Sequence, residues 1–154
     1  MTGGAPASQI AALPLHWDAK GKLRVLMVTS RETRRWVMPK GWLMDEDRPW
    51  HTAKTEALEE AGAVGFVADE PVGAYHYLKR RRGGDTVRCR VAVYPMIVEN
   101  LNRRWKERKE RKRHWFSLRS AARLVDENEL SELLNELADQ QEKQPVIAAL
   151  RKAS

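Results

Sequence analysis

A chain of 154 residues fits one domain, and 42% hydrophobic with 32% charged residues is the composition of a soluble globular protein. No apolar run approaches the length of a membrane span, which excludes a helical membrane protein. The net charge of +7, with a pI near 9.8, favours polyanionic partners and leaves nucleic acid, an anionic membrane surface and a phosphate-rich small molecule open. The single cysteine, Cys89, lies in a strand-like run and reads as a packed thiol in a reducing compartment. With no basic-then-apolar segment at the N-terminus, the expected location is cytoplasmic.

In chain order, residues 1–7 hold two glycines and a proline among small residues and read as a disordered lead-in to a single domain over 8–154. Residues 8–17 and 23–29 read as strands about a turn at 18–21, and 36–38 as an extended piece that delivers the chain to Pro39, Lys40 and Gly41. A helix opens near Pro49 and stops at Gly62, since Pro is favoured at the first helical position and Gly just past the last. Its apolar side is Trp50, Ala53, Ala57 and Ala61. A short strand follows at 64–67, then longer ones at 72–79 and 86–98 about the turn signal Gly83-Gly84-Asp85. Pro95 points to an edge strand or a bulge. Residues 100–112 are polar and loop-like, 114–117 form a last strand and 120–125 a helical turn. Leu130, Leu133, Leu134 and Leu137 recur at helical spacing, and Pro145 opens a final short helix through Leu150. Strands first and helices last argue an α+β domain.

Glu56, Glu59 and Glu60 fall at i, i+3 and i+4, so the three carboxylates share one helical face. Like charges at that spacing destabilise a helix by a few tenths of a kcal/mol unless a cation sits among them. Oxygen-only ligands on a rigid element suit Mg2+ or Mn2+; the plain alternative is a solvated acidic face.

The stretch 41–63 resembles the Nudix box, G-x5-E-x7-R-E-U-x-E-E-x-G-U with U apolar. Gly41, Glu56, Ala57, Glu59, Glu60, Gly62 and Ala63 match in register. The resemblance implies an α/β/α sandwich around a mixed β-sheet and hydrolysis of a phosphoanhydride with Mg2+, or Mn2+, as cofactor. It further implies that Glu59 and Glu60 are metal ligands, that Glu56 is a ligand or the general base, and that the Gly41 carbonyl is another ligand. Asp47 stands where the family has Glu, one methylene shorter. Thr55 stands where the family has an Arg that pairs with the box carboxylates and fixes their orientation. Lys54 points about 100° away around the helix and does not replace that charge.

The flanks Ser30-Arg31, Arg35-Trp36-Val37-Met38-Pro39 and Arg111–Phe116 resemble the diphosphoinositol polyphosphate phosphohydrolase subgroup, whose members cleave diphosphoinositol polyphosphates and diadenosine polyphosphates. Pro39-Lys40-Gly41 resembles some diadenosine polyphosphate hydrolases instead. The implied partner is a polyphosphorylated small molecule held by Arg31, Arg35, Lys40, Arg82, Arg111 and Arg113, because guanidinium groups match phosphate bidentately. The basic blocks at 80–82 and 103–113 read either as solvated loops or as binders of distal phosphates. Glu107 or Glu110 is a candidate to reach the metal site from the loop, and Trp105 either stacks on an adenine or anchors that loop. His51, His76 and His114 lack metal-ligand spacing, and Tyr75 and Tyr77 read as packing. Two other functions stay open. One is RNA 5′-end pyrophosphohydrolysis, and the other a degenerate module, suggested by Thr55 and Asp47, that binds nucleotide without hydrolysis.

Overall fold

The computed structural model of the chain describes residues 5–153. Eight strands share one sheet: β1 (Ala7–Trp17), β2 (Leu23–Thr29), β3 (Trp36–Val37), β4 (Lys40–Trp42), β5 (Ala63–Val67), β6 (Gly73–Arg80), β7 (Thr86–Leu101) and β8 (Arg113–Ser117). The order β3-β2-β1-β7-β5 forms the spine, with β4 also on β1, β6 also on β7 and β8 also on β2. β1 and β7 run parallel while the other pairs are antiparallel, so the sheet is mixed. The helices are α1 (Pro49–Ala61), α2 (Leu118–Leu124), α3 (Asn128–Gln140) and α4 (Pro145–Ala153), with a 3-10 turn at Gln141–Lys143.

Successive strand residues point to opposite faces, and here each face has its own core. Ala11, Leu13 and Leu15 of β1 pack with Leu130, Leu134 and Leu137 of α3. Ile10 and Ala12, between and before them, pack with Ala53, Ala57 and Ala61 of α1. The fold is therefore an α/β/α sandwich around a mixed sheet, which fits the α+β reading and is the architecture that the Nudix resemblance implies. The small residues on the inner side of α1 bring that helix close to β1 and β4. No helix among the described residues is long and apolar enough to cross a membrane.

Two expectations need correction. β1 already begins at Ala7, so the lead-in is shorter than residues 1–7, and its residues 1–4 lie outside the described ones. Pro95 sits on neither an edge nor a bulge: β7 is central, flanked by β1 on one side and by β6 and β5 on the other. The Pro95 carbonyl accepts from Ala68 N–H and the Val93 carbonyl from Val72 N–H, at the junction where the chain passes from β5 to β6. The missing proline N–H faces that junction, where no ladder bond is lost. The register shifts instead between Val64 and Gly65 of β5, which face Asn100 and Val98, so the unpaired residue is Glu99 of β7 and not Pro95. A Cβ on Gly65 would stand 1.9 Å from the Ile97 carbonyl oxygen, so only glycine fits there.

Candidate active site

β4 and α1 meet at Gly41. A Cβ on that residue would lie 2.5 Å from both Cδ and Oε2 of Glu56, so the absence of a side chain makes room for the carboxylate. One helical turn on, Glu60 is 6% exposed, and the Lys40 backbone N–H donates to its Oε1 at 3.4 Å. Arg111 reaches in from the β7–β8 loop. Its Nη2 lies 3.6 Å from Glu60 Oε2, its Nε donates to Glu107 Oε1 at 2.7 Å, and its Nη1 donates to the Thr29 carbonyl at 3.0 Å. One guanidinium thus ties the box helix, the loop and the end of β2 together.

Burial pushes the Glu60 carboxyl up from its ordinary 4.5 to about 8, against the pull of Arg111, with Glu56 and Glu107 adding to the rise. Burial likewise raises Glu56, and Glu59 and Glu107 add to that. Burial lowers the Lys40 ammonium against the attraction of Glu60 and Glu127. Burial, rather than any shortage of cations in the cleft, is the main reason both carboxyls are raised.

The basic loop is built on the C-terminus of α1, where helix carbonyls lack internal partners. Glu107 N–H donates to the Glu59 carbonyl, Trp105 Nε1 to the Glu60 carbonyl at 2.9 Å, and Arg113 Nη1 to the Ala61 carbonyl at 2.8 Å. Arg113 also stacks 4.0 Å over the Trp105 ring. Trp105 is therefore the loop's anchor, one of its two open readings. Gly62 closes the helix at φ 64, and a Cβ there would come within 2.9 Å of Arg113 Nη1 and 3.1 Å of Trp105. Gly62→Ala is expected to destabilise the fold by roughly 1–2 kcal/mol from the left-handed backbone alone. In a thermal melt this reads as a fall of roughly 3–8 °C, and an unchanged midpoint would contradict the cap.

The cleft over the carboxylates holds about 560 Å³ and is lined by Arg31, Arg35, Lys40, Gly41, Glu56, Glu60 and Arg111 from the sequence-derived set. Glu59 does not line it; its carboxylate turns outward to Lys106 Nζ at 3.6 Å. Arg82 and Arg113 are also outside the lining, the first in the exposed turn after β6 and the second spent on the helix cap. Arg35 lines the cleft but is bound to Glu127 at 3.0 Å and Asp126 at 3.6 Å, so its charge is largely committed. Of the two loop acids, Glu107 lines the cleft, whereas Glu110 faces Arg31 at 4.0 Å on the surface. The sequence reading passed over Trp42 and Lys79, and the cleft also takes in Arg80 from the basic block at 80–82. Lys79 follows Tyr75 and Tyr77 at period two along β6, a signal that places it on the same sheet face. A more apolar hollow of about 450 Å³ beside α4, lined by Trp50, Phe66 and Val146, has Asp69 as its one ionisable group and offers no hydrolytic chemistry.

Glu56, Glu60 and Glu107 offer oxygen donors within one cleft, a chemistry that fits a hard divalent cation. Among the described residues no three acidic, histidine or cysteine side chains are already gathered as a metal-binding group. Side-chain rotation of Glu59 away from Lys106 is needed for the full box set to converge.

No family model matches the chain. It is 33% identical over 113 residues to Nudix hydrolase 12, mitochondrial, of Arabidopsis thaliana, covering 70% of this chain and 54% of that protein. It is 29% identical over 103 residues to diphosphoinositol polyphosphate phosphohydrolase 3-beta of Homo sapiens, covering 66% of this chain and 58% of that one. The chain thus spans little more than half the length of these curated relatives. Among solved structures, a NUDIX hydrolase from Nitrosomonas europaea superposes with a TM-score of 0.67 at 17% identity, over 95% of this chain and 96% of that one. Sequence similarity and shared architecture together identify a Nudix-fold chain that resembles the Nudix hydrolases, diphosphoinositol polyphosphate phosphohydrolases among them.

Proposed function

We propose that the chain is a pyrophosphohydrolase that uses Mg2+, or Mn2+, to cut a phosphoanhydride in a highly phosphorylated small molecule. Diadenosine polyphosphates rank first as substrates, diphosphoinositol polyphosphates second and other nucleoside diphosphate derivatives third. One observation carries this reading: the buried Glu60 and the half-buried Glu56 and Glu107 share a cleft with the cations Arg31, Lys40, Lys79 and Arg80. Cleaving such a bond requires binding polyanion, offsetting charge that builds on phosphate oxygens, and deprotonating water. The cations serve the first need. Glu56, Glu59, Glu60 and the Gly41 carbonyl would hold the ion, which supplies Lewis acidity and a more acidic bound water. Burial raises the Glu56 carboxyl, which makes its carboxylate a stronger base than a free one. A cytoplasmic location belongs to the same reading and rests on the buried free thiol of Cys89; the plant relative is named as mitochondrial.

The test is a panel of phosphoanhydride substrates with Mg2+ and Mn2+, products identified by mass, on the wild type and on Glu59→Gln. Metal-dependent cleavage of a dinucleoside or cyclitol polyphosphate is expected, and its loss in the variant. Turnover of 5′-triphosphorylated RNA, steeply weakened by salt, would favour the RNA reading. Binding without hydrolysis has its own support, since Lys106 and Arg111 already occupy Glu59 and Glu60. Nucleotide affinity with no phosphate release from any substrate would establish that alternative.

A further inference from the structure

Trp42 is 46% exposed, yet it lies inside the cleft, one residue past Gly41. Alternation along β4 turns Gly41 toward Glu56 and sends Lys40 and Trp42 to the opposite face. There Trp42 pairs across the ladder with Gln9 of β1, which accepts a hydrogen bond from the Tyr77 hydroxyl. Leu78, on the next residue of β6, also lines the cleft and is 66% exposed. Apolar surface left in water is costly, and here it is left among cations rather than on an outer face. A cyclitol polyphosphate presents hydroxyl and phosphate oxygens on all sides and has no use for an indole. A nucleotide has both an anionic chain and a flat π-face.

We infer that Trp42 is the stacking platform for a nucleobase, and that it selects nucleoside polyphosphates over cyclitol polyphosphates in this cleft. The inference rests on the proposed polyphosphate site and deepens it. Phosphates are held by Lys40, Lys79 and Arg80, while the base lies on the indole, with the box carboxylates reached through the neighbouring Gly41. Stacking tolerates any base, so the platform distinguishes nucleotide from cyclitol and not adenine from guanine.

The test is equilibrium binding of ADP and of inorganic tripolyphosphate to the wild type, Trp42→Ala and Trp42→Phe, with diadenosine tetraphosphate hydrolysis measured alongside. Loss of one base–aromatic stack weakens binding by roughly five- to a hundredfold. Trp42→Ala is expected to weaken ADP at least fivefold and leave tripolyphosphate within twofold, and Trp42→Phe to restore most of the ADP affinity. ADP binding unchanged in Trp42→Ala, or both ligands weakened equally with no rescue by Trp42→Phe, overturns the platform. Absence of hydrolysis by the wild type, with Trp42-dependent ADP binding intact, overturns only the hydrolase reading. Hydrolysis with Trp42-independent ADP binding overturns only the platform.

Discussion

Glu60→Gln is expected to stabilise the metal-free protein at pH 8 while abolishing its metal-dependent turnover. Glu60 ionises near pH 8 in the folded chain and near 4.5 when unfolded, because burial opposes its charge more strongly than Arg111 supports it. Between those values the native state holds the extra proton, so native stability is fullest below about pH 4.5 and is lost as pH rises toward 8 and beyond. A difference of some three units is worth on the order of 2–4 kcal/mol once coupling to Glu56 is allowed for. Glutamine keeps the shape and the acceptor for Lys40 N–H but cannot ionise, so the variant loses that slope. A divalent ion bound to the wild type would restore the lost stability, by roughly 2.7 kcal/mol at a hundredfold excess over its Kd. Thermal unfolding from pH 5 to 8.5, with and without Mg2+, reads all three effects. A flat wild-type profile would show that the Glu60 carboxyl is not raised by burial, and a Mg2+-induced rise that persists in Glu60→Gln would show that Glu60 is not a ligand.

The box helix was legible because its signals are local. Pro49 and Gly62 mark its ends, and the period of Ala53, Ala57 and Ala61 marks its buried side. The α+β class was legible from the same kind of pattern, down to Leu130, Leu133, Leu134 and Leu137 on α3, whereas the sandwich came from the resemblance of residues 41–63 to the Nudix box. What the sequence did not disclose is how charges in the loop are allotted, since one Arg-rich run has no period to sort its members. Arg111 goes to the carboxylates, Arg113 to the helix end, and Arg108 and Lys109 to solvent. That sorting depends on where the loop crosses α1, a contact between residues more than forty apart in sequence. Pro95 was misread for a related reason. A proline in a central strand is costly when its N–H position faces a partner, and the gap between β5 and β6 that spares it exists only in the assembled sheet.

Gly41→Ala is expected to cost activity far more than stability. The added methyl meets Glu56 at 2.5 Å, a contact that must shift, but the atoms it meets are the far end of a flexible side chain rather than backbone. Gly41 also lies outside the left-handed region, so alanine strains no dihedral there. The fold should lose less than about 1 kcal/mol, within the range of substitutions that neither open a cavity nor trap a charge. The Glu56 carboxylate must swing away from β4, and a displacement of about 1 Å in a catalytic group can lower turnover by roughly a hundredfold. Gly65→Ala is the internal contrast: its Cβ would strike the Ile97 carbonyl, a backbone atom that cannot rotate aside, so there the fold itself should fail. Melting temperature and kcat measured on the same samples separate the two cases. If Gly41→Ala keeps wild-type kcat, or loses activity only in step with its folded fraction, the Gly41–Glu56 contact does not set the position of a working carboxylate.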